Sequence, residues 1–397
     1  MMALRLRTTA FFSNTRALLD RCQSSPAMIV SSQRQGFGGQ GPGAGGDDTE
    51  VDETKAKINS AWNASAGGYV DNIQGGGGVK SGYPGAMVTQ GMSVGYKLAA
   101  RIVADKANKM NLKGSGAPVV LDVASAGGEP AITIAKAIPG ASVHATDFAP
   151  AMMDLIRRRT SEAGVTNVTA GVADAEALTE FGDRSVDAVT CTWGLMFMPQ
   201  WQRAIQEFSR VLKTDGVVAL ALWEKYEGSI FERLRHVVDT LDPGDTGYEG
   251  LIDPESLGED GGSAVAEEMR ASRTWWFAAG LRDVSVSRFS VPVTLLPHGR
   301  PRHLLEYYTS ASPLGQVLDR LEAKGRTDVR QEAADIFEGR MAKEWEQGQE
   351  PLGLSKFSDD DDRDHGSSRE NPASSGPPHV FYARAFFLTG RKSDVAI

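Results

Sequence analysis

Short apolar segments alternate with amphipathic helical segments through the middle of the chain. The apolar segments cover residues 118–124, 141–147, 167–174, 185–193 and 216–223, and the helical segments cover 130–138, 150–164 and 201–213. Parallel strands can be joined only by a crossover, which is usually a helix, and such crossovers are right-handed. The alternation therefore predicts an α/β fold with a doubly wound, mostly parallel sheet and helices on both faces.

The remainder of the chain is organised around this core, which we place at residues 113–300. Residues 50–112 read as N-terminal helices that could cover a pocket, and residues 301–348 as a helical insertion that caps an acceptor site. The polar tract 349–378, with its DDDDRD run, reads as a disordered acidic loop, and residues 379–397 as the last strand and a tail. The segments 281–295 and 379–390 bring the predicted strands to seven.

The first 46 residues differ in composition from the rest. They carry five arginines against the single acid Asp20 and end in the glycine-rich run GFGGQGPGAGG. This composition is typical of an organelle transit peptide followed by a flexible linker, so we expect a mitochondrial protein. The alternatives are a plastid location, or a cytoplasmic location in which this segment is a disordered tail without a targeting signal.

Charge and cysteine content exclude several classes of function. The net charge of −9 and the pI near 5.3 argue against nucleic-acid binding, which needs a basic face. Only Cys22 and Cys191 are present, so neither a disulfide framework nor a cysteine metal site is expected. No apolar run is long enough to cross a bilayer, which leaves peripheral membrane contact open. The oligomeric state is left open.

A turn of small residues separates the first predicted strand from the first predicted helix. The turn is Ala124-Ser125-Ala126-Gly127-Gly128, within the segment LDVASAGGEPA. Ligands of doubly wound sheets bind at this edge, and small residues allow a ligand to pack against the backbone. A tight turn without a ligand is the alternative.

Acidic residues follow the next two strands in register. Asp147 ends the second strand, 19 residues after Gly128, where a carboxylate can accept hydrogen bonds from both hydroxyls of a ribose. Asp174 follows the third strand and could accept from an adenine amino group, and Thr192 and Trp193 end the fourth strand at the mouth of the site. Each acid alone could instead cap a helix.

The turn also distinguishes between nucleotide cofactors. A dinucleotide fingerprint needs glycine at the positions of Ala124, Ala126 and Glu129, and a helix N-terminus that holds a pyrophosphate. Glu129 would place a carboxylate at the pyrophosphate position. A cofactor without phosphates that bears a positive sulfonium is compatible with this acid, so we rank S-adenosylmethionine (SAM) above NAD.

Four successive segments resemble the motifs of class I SAM-dependent methyltransferases, closest to the branch of the ubiquinone and menaquinone biosynthesis C-methyltransferases. The segments are LDVASAGGEPA, HATDFAPAMM, VADAEAL and SVDAVTCTWGLMFMPQWQRAIQEFSRVLKTDG, and the resemblance covers residues 61–224. It implies a seven-stranded Rossmann-like sheet. It also implies that Asp122 and the turn from Ala124 to Gly128 hold the methionine part of SAM, Asp147 with Phe148 the ribose, and Asp174 with Ala175 the adenine end.

Two positions depart from the family pattern. The family usually has glycine where this chain has Ala124 and Ala126, and alanine still permits a close backbone approach. It also usually has a Pro-Gly pair where this chain has Thr214-Asp215 before Gly216.

The end of the fourth strand indicates the class of acceptor. Cys191-Thr192-Trp193-Gly194 lacks the polar residues expected for gripping a nucleobase, and Trp193, Met196, Phe197 and Met198 suit a hydrophobic or aromatic small molecule. Packing in the core is the alternative role for these side chains. A base is needed only for a phenol or a carbon acid, and we assign none. The weak candidates are His236, His298, His303 and Tyr226.

A small-molecule methyltransferase, acting on carbon or oxygen, is therefore the favoured function. A non-catalytic SAM-fold protein that serves organelle complex assembly, and a protein or RNA methyltransferase, are the alternatives.

Overall fold

The computed structural model describes residues 48–70, 86–223, 230–243, 269, 276–277, 279–294, 305, 309, 314–346 and 380–393. Several sequence predictions lie outside these residues and stay predictions. They are the transit peptide and linker, the acidic loop 349–378, and the candidate bases Tyr226, His298 and His303.

The described strands form one seven-stranded sheet in the order β3-β2-β1-β4-β5-β7-β6. The strands β1 to β5 are parallel, and β7 is antiparallel to both β5 and β6. Their bounds are Val119–Val123 (β1), Ser142–Asp147 (β2), Val168–Val172 (β3), Val186–Thr192 (β4), Leu212–Trp223 (β5), Leu281–Thr294 (β6) and Val380–Lys392 (β7). The predicted seven-stranded α/β fold is confirmed.

The helices of the described residues also follow the predicted pattern. Their bounds are Asp48–Tyr69 (α1), Ala86–Leu112 (α2), Ala131–Ala137 (α3), Met152–Glu162 (α4), Trp201–Val211 (α5), Ile230–Leu241 (α6), Leu314–Ala323 (α7) and Val329–Glu346 (α8). The described part of the insertion between β6 and β7 is thus helical, as expected, and it contains α7 and α8. A turn with Gly325 at φ 93° separates α7 from α8.

One boundary differs from the prediction, which extended α5 through Lys213. The helix ends at Val211, and β5 begins at Leu212, whose backbone is already extended and pairs with Val186. Asp215 then adopts a positive φ of 61°, and the register of β5 against β4 shifts before Val217. Pairing with β4 therefore outweighs the helical periodicity at this junction.

Helices cover both faces of the sheet and bury its strands. Ile134 of α3 and Ile156 of α4 pack with Val143 of β2 on one face, and Phe208 of α5 packs with Leu220 of β5 on the other. All seven residues of β4 are buried. Fully burying a side chain such as Ile156 contributes about 1.5–3 kcal/mol, so these layers fix the positions of the strand ends.

A tryptophan stack holds α2 against the end of β4. The rings of Trp193 and Trp223 stack with centroids 4.1 Å apart, and the Trp193 indole N–H donates to the carbonyl of Met92 on α2. Gly95 is required at the crossing, because a Cβ there would lie 2.8 Å from Cζ2 of Trp193. The helix that follows α1 is thereby fixed beside the strand ends.

Candidate cofactor and acceptor site

A pocket of about 870 Å³ opens at the carboxyl ends of β1 to β4, where the strand order reverses. Eight residues predicted to bind a cofactor line it, namely Ala124, Ala126, Asp147, Phe148, Asp174, Ala175, Thr192 and Trp193. The four others, Asp122, Ser125, Gly127 and Gly128, do not.

The turn after β1 adopts a left-handed backbone at three positions. Ala124 has φ 54°, Ala126 has φ 48° and Gly128 has φ 98°. Such angles are nearly free for glycine but cost an L-residue about 1–2 kcal/mol. Ala124 and Ala126 stand where the methyltransferases that the sequence resembles usually have glycine. They therefore adopt a backbone conformation that glycine would adopt without strain.

Asp122 supports this turn from inside the sheet and does not face the pocket. Its carboxylate accepts hydrogen bonds from Ser125 Oγ at 2.6 Å, from Thr190 Oγ1 at 2.7 Å and from the Ala131 N–H at 3.1 Å. Burial raises the pKa of Asp122 to about 7, although these hydrogen bonds act in the opposite direction. Asp122 therefore holds the turn in this structure, and its assignment to the methionine part of a cofactor stays a prediction.

Carboxylates occupy the N-terminus of α3, where a dinucleotide would place its pyrophosphate. Asp122 accepts from Ala131 N, and Glu129 accepts from the N–H and the hydroxyl of Thr133 at 3.2 and 2.7 Å. Arg159 lies 3.7 Å from the second oxygen of Glu129. These donors are already used by negative groups, so this helix end does not form the anion site that a phosphate requires.

Asp147 is the carboxylate at the centre of the pocket wall. Its two oxygens accept from the backbone N–H groups of Ala126 and Ala149, each at 2.9 Å. Burial raises its pKa, and these hydrogen bonds oppose that shift. A carboxylate has about four acceptor positions, so Asp147 can hold the turn and still accept hydrogen bonds from a ligand.

A lysine from α1 pairs with the acids that follow β3. Lys55 Nζ lies 2.7 Å from Asp174 Oδ2 and also contacts Glu176, whose side chain is 1% exposed. Burial lowers the pKa of Lys55, but its hydrogen bonds and charge pairing with the two carboxylates outweigh this, and the pKa is raised. Lys55 therefore carries a positive charge at this end of the pocket.

Aromatic rings form the opposite end. Trp62 and Tyr69 of α1 meet edge to face with centroids 5.2 Å apart, and Trp62 meets Phe197 in the same manner at 5.6 Å. Trp193 completes this wall. Burial, with a smaller contribution from the charge of Asp147, raises the pKa of Tyr69, so its hydroxyl keeps its proton at neutral pH.

Thr192 supplies a polar atom that lacks a partner within the part of the chain that the structure describes. Its residue is 5% exposed and lines the pocket, and its Oγ1 makes no hydrogen bond there. A buried hydroxyl without a hydrogen bond costs free energy. A ligand that hydrogen-bonds to Thr192 would remove this cost, which fits a polar small molecule in the pocket.

The pocket residues of α1 were missed by the sequence analysis. Lys55, Ile58, Asn59, Trp62 and Tyr69 line one side of the pocket. Their spacing of three and four residues, and of seven between Trp62 and Tyr69, places them on one helix face. This helical spacing was the feature of the sequence that could have identified them.

Two other expectations concern residues that do not line this pocket. None of the described residues of the insertion lines it, whereas α1 covers one side of it. Because parts of residues 301–348 lie outside the described residues, the cap over an acceptor site stays a prediction. His236 is exposed on α6 and is not among the residues that line this pocket. Within the described ranges, no group of three or more His, Cys, Asp or Glu residues could hold a metal ion, and no helix could span a membrane.

Comparison with known proteins finds a family model and several relatives that match part of this chain. Residues 120–216 match the family model described as "Methyltransferase domain". The chain is 34% identical over 125 residues to the demethylmenaquinone methyltransferase of Chlorobaculum tepidum, covering 32% of this chain and 49% of that protein. It is 33% identical over 130 residues to the ubiquinone/menaquinone biosynthesis C-methyltransferase of Citrifermentans bemidjiense, covering 32% and 54%.

The chain spans about half the length of the curated relatives it matches. Among solved structures, it is similar to the YcgJ protein from Bacillus subtilis, at 18% identity and a TM-score of 0.39, covering 74% of this chain and 100% of that one.

The strained turn yields a prediction about stability. Ala126→Gly removes the left-handed strain at φ 48° and should raise the free energy of unfolding by about 1 kcal/mol in urea denaturation. Ala64→Gly, at an exposed position in the interior of α1, is the control and should lower it by about 1 kcal/mol. Equal destabilisation by both changes would contradict the strain assigned to the turn.

Proposed function

We propose that this chain, which carries a methyltransferase domain over residues 120–216, is a SAM-dependent methyltransferase of a small hydrophobic or aromatic acceptor, acting on carbon or oxygen. One observation carries the proposal. The carboxylate of Asp147 lies in a pocket at the switch point of the sheet, bonded to a turn whose small residues leave the backbone accessible.

The pocket residues fit SAM better than a dinucleotide. Asp147 would accept hydrogen bonds from the ribose hydroxyls, Asp174 would accept from the adenine amino group, and the turn at Ala124 and Ala126 would contact the methionine part. Thr192 Oγ1 offers a further hydrogen bond. The N-terminus of α3 offers no open phosphate site, because Asp122 and Glu129 already accept from its N–H groups.

When bound, the cofactor supplies a methyl group activated by a positively charged sulfur. The chain then has to orient the acceptor and exclude water, and such positioning can contribute about 7–11 kcal/mol to lowering the barrier. Trp62, Tyr69, Phe197 and Trp193 provide a largely apolar wall for a flat acceptor. Because Tyr69 stays protonated, it can donate a hydrogen bond to an acceptor oxygen but cannot serve as a resting base.

The role of Asp147 predicts a change in ligand discrimination. The wild-type protein should bind S-adenosylhomocysteine about 10- to 100-fold more tightly than its 2′,3′-dideoxy analogue, because the carboxylate accepts from the ribose hydroxyls. In Asp147→Ala the two ligands should bind within about threefold of each other. Isothermal titration calorimetry with both ligands measures the two ratios.

Asp154→Ala is the matched control for this cycle. Asp154 is a carboxylate on α4 whose side chain is 94% exposed, and its removal should leave the wild-type ratio intact. Asp147→Ala also removes two hydrogen bonds to the backbone, so the ratio between ligands, rather than either affinity, is the informative quantity. Failure of the wild-type protein to bind S-adenosylhomocysteine would overturn the proposal.

The acceptor class predicts where the methyl group goes. Full-length protein incubated with methyl-labelled SAM and extracts of the source organism should label a product that partitions into organic solvent, and mass analysis would identify it. The apolar wall is the physical reason for this expectation. Label confined to protein or RNA would contradict a small-molecule acceptor, and binding without any transfer would favour a non-catalytic role.

We further propose that the protein is mitochondrial. The support is the composition of residues 1–46, which are rich in arginine and poor in acids. A full-length fluorescent fusion should co-localise with mitochondria, and a fusion that lacks residues 1–46 should not. Plastid or diffuse cytosolic fluorescence from the full-length fusion would refute this location.

A further inference from the structure

The polar residues of α1 bind the loops at the carboxyl edge of the sheet. Lys55, Asn59 and Asn63 are spaced four residues apart and so share one stripe of the helix. Lys55 pairs with Asp174 and Glu176 after β3, and Asn59 Nδ2 donates to the carbonyl of Phe148 after β2 at 2.6 Å. Asn63 Oδ1 accepts from the N–H of Ala151 at 2.8 Å. The stripe therefore joins α1 to three points along two loops.

These loops are the ones that the proposed function assigns to the ribose and adenine. Phe148 follows Asp147 directly, and Asp174 is itself the residue assigned to the adenine amino group. Lys55 and Asn59 also line the pocket. A ligand that filled the adenosine end would thus lie between α1 and the strand ends, in contact with both.

Lys55 is the main polar contact of the first part of α1. From residue 51 to residue 58, Ile58 is the one buried residue, so apolar packing alone holds this part weakly. The Lys55 side chain is only 17% exposed, and its single positive charge is shared between two neighbouring carboxylates, of which Glu176 is buried. Without Lys55, the two negative charges would be left facing each other in a poorly solvated place.

The second half of α1 carries the wall of the acceptor site. Trp62 and Tyr69 lie on this half, and Trp62 reaches Phe197 beyond β4. On the outer side, Gln316 of α7 donates to the carbonyl of Ala61 and to Ser65 Oγ. The helix is therefore held by polar contacts on two sides, and its position decides whether the aromatic wall is complete.

We propose that Lys55 is a positioning residue that couples cofactor binding to the docking of α1, and that docked α1 completes the acceptor site. The inference rests on the proposed function and adds that the cofactor binds before the acceptor. Only the docked helix offers contacts on both sides of the adenosine, so the ligand stabilises the docked state. By linkage, docking raises the affinity for the ligand by the same factor. The acceptor would then meet a complete aromatic wall only after the cofactor has bound.

Hydrogen exchange on the wild-type full chain tests the coupling without any substitution. Saturating S-adenosylhomocysteine should slow amide exchange in residues 51–69 by about tenfold or more, because the ligand favours the docked helix. Helix α8, none of whose residues lines the pocket, should change much less. Binding of S-adenosylhomocysteine with unchanged exchange in α1 would overturn the coupling while leaving the proposed function standing. Failure of the wild type to bind this ligand would overturn both.

Substitutions identify Lys55 as the residue responsible. Lys55→Met keeps the apolar stem but removes the charge, and it should raise the Kd for S-adenosylhomocysteine about tenfold. Lys55→Arg, which keeps the charge, should restore binding to within about threefold. Lys57→Met, an exposed lysine two positions along the same helix, should have no effect. Thermal unfolding of each variant checks that the fold is retained.

A double-mutant cycle with Asp174→Asn separates positioning from general stabilisation. If Lys55 acts through its pairing with Asp174 and Glu176, the effect of Lys55→Met on the Kd should be clearly smaller in the Asp174→Asn background, where the ion pair with Asp174 is lost and the pairing with Glu176 remains. Additive effects of the two substitutions, or wild-type affinity in Lys55→Met, would contradict the assignment of Lys55.

Discussion

Two buried carboxylates hold the turn on which the whole site depends. Asp122 and Asp147 lie at the ends of neighbouring strands and together accept hydrogen bonds from Ser125, Ala126 and the first residue of α3. Backbone in the left-handed region is unfavourable for alanine, so these hydrogen bonds must offset that strain. The strand ends can hold these acids in place because the sheet is packed between helices on both faces. The site is therefore a product of the sheet and not of the loop alone.

The sheet and the residues at its edge could be predicted because both follow from local pattern. Alternating strands and helices fix a parallel sheet, and a parallel sheet gathers its carboxyl ends at one edge, which brings Asp147, Asp174 and Thr192 together. The direction in which Asp122 faces could not be predicted. The part of β1 that contains it is buried on both sides, so polar and apolar residues do not alternate in a way that marks the pocket side.

The N-terminal helices could be predicted to cover a pocket, but the individual contacts of α1 were missed for a different physical reason. Lys55 and Asp174 are 119 residues apart, and Asn59 and Phe148 are 89 apart. Helical spacing predicts which residues share a face of α1, but not which surface that face meets. The same limit applies to the insertion, whose helical character could be predicted while its packing partners could not. Helices α7 and α8 pack with α6, and α7 supports α1 from outside through Gln316.

The charges around the pocket favour one kind of nucleotide. Asp147, Asp174 and Glu176 border it, Lys55 balances one of these charges, and Glu129 lies behind the turn close to Arg159. A pyrophosphate would lie beside carboxylates at a place where it needs N–H donors. An adenosine with a positively charged sulfur would instead find hydrogen-bond acceptors for its hydroxyl groups and a negative electrostatic potential around the sulfur. Asp122 thus has two effects: it holds the turn, and it occupies an N–H donor that a phosphate would need. The stability of this edge of the sheet and its discrimination against phosphate therefore have the same electrostatic origin.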